Sequence, residues 1–124
     1  MSTSILGLRT TIYKVHDLAS AKQWYAKAFG VEPYFDEPFY VGFNVAGYEL
    51  GLLEDDAPAA EKTGNVLSYW GVENIEQEVE RLIGLGASED TKPTNVGGEI
   101  IVATVKDPWG NVIGLIYNPE FALP

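Results

Sequence analysis

One phrase occurs twice in this chain. GYELGLL at Gly47–Leu53 and GNVIGLI at Gly110–Ile116 align as glycine, an aliphatic, glycine and two aliphatics, and Gly51 to Gly114 is a step of 63 residues. Two amphipathic stretches begin at corresponding places, Leu18 and Ile75, a step of 57, and Gly30 and Gly86 stand at their ends. A chain of 124 residues that repeats at about half its length is two copies of one unit. A β-rich unit of that size buries too little apolar surface alone, so the two copies are expected to pack together.

The unit itself can be read. Leu18, Ala21, Trp24, Tyr25, Ala28 and Phe29 recur at helical spacing, with Asp17 as N-cap and Gly30 as stop. Ile75, Val79, Leu82 and Ile83 form the second stripe. Asn74 and Gln77 make a capping-box pattern before it, and Gly86 ends it. Strands are expected near Leu8–Val15, Phe39–Val45, Tyr48–Leu53, Val66–Val72, Glu99–Val105 and Asn111–Tyr117. Ala46-Gly47 and Asp107-Pro108-Trp109-Gly110 are turn sequences between them. The polar run Glu54–Gly64 reads as the connection. The expected organisation is one domain over 1–124, with modules at about 6–54 and 65–118.

Composition narrows the function. Eight Lys and Arg against 18 Asp and Glu give a formal charge of −10, which opposes nucleic acid and anionic membranes and favours a cationic ligand, or simply keeps the chain soluble. No cysteine is present, so disulfides, thiolate zinc sites and cysteine nucleophiles are absent together. The first residues lack the basic start and apolar stretch of a signal peptide, and the longest apolar runs are strand-sized. A soluble cytoplasmic protein is expected.

The duplicated pattern, with KVHDLASAKQWYAKAFGVEPYF in the first half and VKDPWGNVIGLI in the second, resembles the vicinal oxygen chelate superfamily of glyoxalases, bleomycin- and fosfomycin-resistance proteins and extradiol dioxygenases. The resemblance covers nearly the whole chain. It implies an α+β fold of two tandem βαβββ modules forming a cupped, incompletely closed barrel. It leaves the reaction open, because such a fold hosts lyases, transferases, oxygenases and pure binders.

Metal-dependent members place two His or Gln and two Glu ligands inside the cup. Carried onto this sequence, those positions are Thr10, Gly51, Leu67 and Gly114. Leu and Gly offer no side-chain donor, and one Thr hydroxyl does not hold a divalent cation. A register slipped by two would bring in Glu49 and leave three positions empty. No metal and no cofactor are therefore expected, and the metal-dependent lyase or dioxygenase reading requires unusual ligands.

Strand parity turns Thr10, Ile12, Lys14, Tyr40, Gly42, Asn44, Glu49, Gly51, Leu53, Leu67, Tyr69 and Gly114 toward the cup, an apolar and aromatic lining with few polar groups. The facing glycines Gly42 and Gly51 either clear a cavity or relieve crowding. Glu49 is the candidate catalytic group. In an apolar cup its pKa would rise and it could act as general base; otherwise it reaches solvent or pairs with Lys14 or Arg9. Trp109, at a turn tip, would cover the cup mouth or a dimer seam, while Trp24 and Trp70 read as core. His16 falls in a surface turn, and the acidic runs Glu54–Asp56 and Glu73–Glu80 read as solvated faces.

The functional expectation is a metal-free protein that binds a small cationic or aromatic molecule. The family's ligand grooves between subunits imply a homodimer. The alternative is a metal-independent isomerase or lyase with Glu49 as proton acceptor.

Overall fold

The structure is a computed structural model and describes residues 4, 7–55, 62 and 66–121. The chain divides into two compact units, Met1–Pro58 and Ala59–Pro124. Most of the expected connection, Asp56 included, lies outside the described residues.

The first unit runs β1 (Thr10–Val15), α1 (Leu18–Phe29), β2 (Phe35–Glu37), β3 (Tyr40–Val45) and β4 (Tyr48–Glu54). The strands form an open sheet in the order β1-β4-β3-β2, with β1 parallel to β4 and the other pairs antiparallel. The second unit repeats this as β5 (Tyr69–Gly71), α2 (Ile75–Gly84), β6 (Ser88–Gly97), β7 (Ile100–Lys106) and β8 (Val112–Tyr117), in the order β5-β8-β7-β6. Each unit is thus a βαβββ module.

Alternation along the strands gives each sheet two chemically different faces. In the first module Tyr13, Val15, Val41, Phe43, Leu50 and Leu52 are buried with Leu18, Ala21, Tyr25 and Ala28 of α1, and Tyr13 stacks on Tyr25 with ring centres 5.6 Å apart. Trp24 and Phe29 are only half-buried. In the second module Ile75, Val79, Leu82, Ala103, Val105, Ile113 and Leu115 form the corresponding core. Ile83, expected in the apolar stripe, is 41% exposed, because the face that packs on the sheet is covered by Ile75, Val79 and Leu82 alone.

The helix ends follow local chemistry. Asn74 accepts from the Gln77 amide, and Asp17, in the left-handed region at φ 66°, accepts from the Ser20 amide and hydroxyl. Glu54 is exposed, as expected of the acidic run, and has a role besides: its carboxylate accepts from the amides of Asp17 and Leu18, so the end of β4 caps α1. His16 is exposed, with Nδ1 3.8 Å from the same carboxylate. The Ala46-Gly47 turn has φ 53° and 94°, the double left-handed conformation that matches the twist of a two-residue hairpin.

Two strands were not expected from the sequence. β2 has three residues, and β6 is a polar edge strand containing Pro93 and three register shifts against β7. β5 is shorter than the expected Val66–Val72, which leaves Leu67 ahead of the strand and 44% exposed. Among the described residues no helix is long and apolar enough to cross a membrane.

Candidate functional site

The sheet face opposite α1 gathers most of the first-half residues singled out above. Asn44, Glu49 and Thr10 are strand partners across it, then Phe35, Gly42, Gly51 and Ile12, then Glu37 and Tyr40 at the next step. Partners in a register row project to the same side. Asn44 is at the end of its row, and its carbonyl oxygen accepts from the Gly47 amide at 2.8 Å, so it is engaged in the hairpin turn.

Glu49 organises this face. Its Oε1 accepts from the Thr10 hydroxyl at 2.7 Å, its Oε2 accepts from the Tyr34 hydroxyl, and Tyr40 supplies a third hydroxyl bond. Tyr34, followed by Thr10 and then Tyr40, holds the carboxyl below its ordinary value, outweighing desolvation. The rise that an apolar cup would bring does not occur. Three hydroxyl donors favour the anion more than partial burial opposes it. The phenols shift the other way: Tyr34 is raised by its bond to Glu49, and Tyr40 is pushed up to about 12 by burial and by the neighbouring carboxylate.

The facing glycines do not leave an empty cavity. A Cβ on Gly51 would stand 2.7 Å from Tyr40 Cζ, with the hydroxyl nearer still. A Cβ on Gly42 would stand 2.8 Å from Glu49 Oε2 and 3.1 Å from Tyr34 Cε1. The missing side chains are seats for Tyr40, Tyr34 and the Glu49 carboxylate. Tyr34 escaped sequence reasoning because it lies outside the strands; the signal was the density of rings in PYFDEPFY. Phe35 lies 6.0 Å from Tyr40 and 6.1 Å from Phe39, centre to centre, and Tyr34 and Phe39 are 63% and 66% exposed.

The second module carries different groups on the equivalent positions. Tyr69 partners Gly114, as Ile12 partners Gly51, and a Cβ on Gly114 would stand 2.5 Å from the Ser68 carbonyl oxygen. Leu67 and Tyr69 line a cavity of about 360 Å³ with Lys62, Thr104, Lys106 and Val112. Buried Thr104 donates to Asp90 at 2.9 Å and accepts from the Thr91 amide at 3.0 Å. Trp109 is half-buried in a turn anchored by the buried carboxylate of Asp107, which accepts from the amides of Trp109 and Asn111 and from Asn111 Nδ2.

A divalent metal can be tested against these positions. Thr10 pairs with Glu49, not Gly51, so the slipped register is the one that brings Glu49 beside Thr10. Its second-module counterparts by the steps of 57 and 63 are Leu67 and Val112. In the first register the Thr10 hydroxyl is the one side-chain donor and in the slipped register it is joined by the Glu49 carboxylate, while the space above Gly51 and Gly114 is filled by Tyr40 and by backbone. Among the described residues, no three His, Asp or Glu side chains gather to hold an ion. These residues do not fit a divalent metal.

Comparison with solved structures shows the same fold elsewhere. A glyoxalase-related enzyme from Fulvimarina pelagi aligns with TM-score 0.75 at 18% identity, covering 97% of this chain and 94% of its own. A glyoxalase/bleomycin resistance protein/dioxygenase family enzyme from Burkholderia phytofirmans aligns with TM-score 0.73 at 18% identity over 87% and 95%. The fosfomycin resistance protein FosX from Listeria monocytogenes gives 0.73 at 18% over 96% and 97%. At such identities the likeness is one of fold. Comparison with curated proteins gives no match. The family profile, by contrast, matches residues 7–115, nearly the whole chain, and by that match the protein belongs to the Glyoxalase/Bleomycin resistance protein/Dioxygenase superfamily.

Proposed function

We propose that this protein binds a small cationic or aromatic molecule on the Glu49 face of its first module, without a metal. The observation that carries the reading is an ionised carboxylate, fixed by Tyr34, Thr10 and Tyr40, on the same sheet face as Phe35, whose ring lies near those of Tyr40 and the exposed Phe39. A fixed negative charge with aromatic side chains on the same face attracts a cation by Coulomb and cation–π terms together. The overall charge of −10 adds a favourable long-range field for such a ligand. The reading includes a homodimer, as the family resemblance implies, in a soluble, cytoplasmic protein, as composition suggests.

Catalysis with Glu49 as general base is the weaker reading. A carboxylate held below its usual range by three donors is a poorer proton acceptor than one raised by burial. The test is calorimetric titration with aromatic organic cations, using untagged protein whose metal content is first measured by elemental mass spectrometry. Binding that weakens at least tenfold in Glu49→Gln supports the proposal. Equal affinity in that variant, or a stoichiometric transition metal, overturns it.

A further inference from the structure

Building on the proposed cation site, we infer that the Glu49 face selects cations without N–H groups, quaternary ammonium or comparable fully substituted centres, over primary ammonium ions. The argument is one of acceptor capacity. A carboxylate offers about four lone-pair sites. Thr10 takes one on Oε1, Tyr34 takes one on Oε2, and Tyr40 takes a third. A primary ammonium brings three N–H donors, strongly hydrated in water, and each one left unmatched on binding costs affinity. Glu49 can receive about one of them. The phenol oxygens are weak acceptors because their lone pairs are delocalised into the rings, and Tyr34 and Tyr40 have turned their hydrogens toward Glu49.

A quaternary centre makes no such demand. It needs negative charge and polarisable surface, and this face supplies both. Tyr34, Phe35, Phe39 and Tyr40 lie within one seven-residue hairpin, and Phe35 stands on the same register row as Gly42, over which the Glu49 carboxylate lies. Aromatic faces around a methylated cation recover by cation–π attraction what the site cannot offer in hydrogen bonds. The hydroxyl network therefore sets specificity by using up the acceptors that a primary amine would need.

The experiment compares benzyltrimethylammonium with benzylammonium, equal in charge and ring and different only at nitrogen. Both are titrated by calorimetry into the wild type, Tyr34→Phe, Tyr40→Phe and Glu49→Gln, with thermal melts confirming that each variant is folded. The wild type is expected to bind the trimethylated ion at least tenfold more tightly. Tyr34→Phe keeps the ring and frees one lone pair on Oε2, so the preference should fall severalfold through a gain for benzylammonium; Tyr40→Phe should act in the same direction. A preference near unity, or one for benzylammonium, overturns the inference while leaving a cation site that depends on Glu49. A tenfold preference that does not move in either tyrosine variant also overturns it, because hydrogen-bond saturation would not be its source. If neither ion binds, or if binding is indifferent to Glu49→Gln, the site reading itself falls and the inference with it.

Discussion

Gly51 and Gly114 occupy equivalent places in the repeat, yet alanine should be tolerated differently at each. Neither glycine has a left-handed φ, so the added methyl is judged by what it meets. At Gly114 it meets backbone: the Ser68 carbonyl oxygen at 2.5 Å and Tyr69 Cδ1 at 2.8 Å. Relief requires β5, three residues long, to move nearly an ångström from β8. Overpacking of this kind costs about 1–3 kcal/mol, and each weakened backbone hydrogen bond adds about 1 kcal/mol. Replacing glycine in a strand returns about 0.5–1 kcal/mol. The net loss for Gly114→Ala is about 2–3 kcal/mol.

At Gly51 the overlap is deeper but the obstacle is a side chain. Tyr40 can swing about χ1, giving up its bond to Glu49 at about 1 kcal/mol and some burial, against the same strand gain. Gly51→Ala should cost no more than about 1 kcal/mol. In a Tyr40→Ala background it should become neutral or stabilising by about 0.5 kcal/mol, because the three atoms nearest the methyl all belong to the Tyr40 ring and hydroxyl. Urea and thermal unfolding measure both, with about 3–5 °C in Tm for each kcal/mol in a chain of this size. A larger loss for Gly51→Ala than for Gly114→Ala would refute the reasoning. So would a Gly51→Ala cost that persists without the Tyr40 ring.

Two further outcomes follow from single groups. Tyr40 is raised from 10.0 to about 12, so its contribution to stability is complete below pH 10 and is lost as pH rises through about 12; tyrosinate absorbance should lose one phenol's amplitude near pH 12 in Tyr40→Phe, and loss of that amplitude near pH 10 instead would contradict this. Asp107 is buried and accepts from two amides and one side-chain amide, so Asp107→Ala should cost about 2–4 kcal/mol by orphaning those donors, with Asp107→Asn milder, and a melt within 1 °C of the wild type for the alanine variant would rule that role out.

The fold was legible because its determinants are periodic or local. Leu18, Ala21, Tyr25 and Ala28 announce one helix, Asn74 caps the other, and Ala46-Gly47 sets the hairpin register that brings Gly42 opposite Gly51. β6 was illegible for the converse reason: an edge strand held by backbone bonds and by Thr104 needs no alternation, and SEDTKPTNVG has none. At the site, parity identified which residues share the Glu49 face. It could not supply Tyr34, whose hydroxyl reaches Glu49 from outside the strands and is the largest cause of that carboxyl's lowered pKa. Side-chain reach of that kind has no periodicity to read.

The repeat also explains why family membership fixes so little of the chemistry. Each module builds its core on the helix side of the sheet, where Leu50 and Leu52 match Ile113 and Leu115 in kind and burial. Those positions hold the fold and are alike in the two modules. The opposite face has different work: Thr10 corresponds to Leu67, Glu49 to Val112 and Gly42 to Thr104, and the polar groups of one module have no chemical counterpart in the other. Alternation along a strand makes the two faces nearly independent, because a substitution on one leaves the packing of the other intact. One face can therefore exchange a ligand set for a hydroxyl-bound carboxylate and a ring of tyrosine and phenylalanine while the other still specifies the same βαβββ module. In this chain the face that differs between the two modules is, in the first of them, built around Glu49.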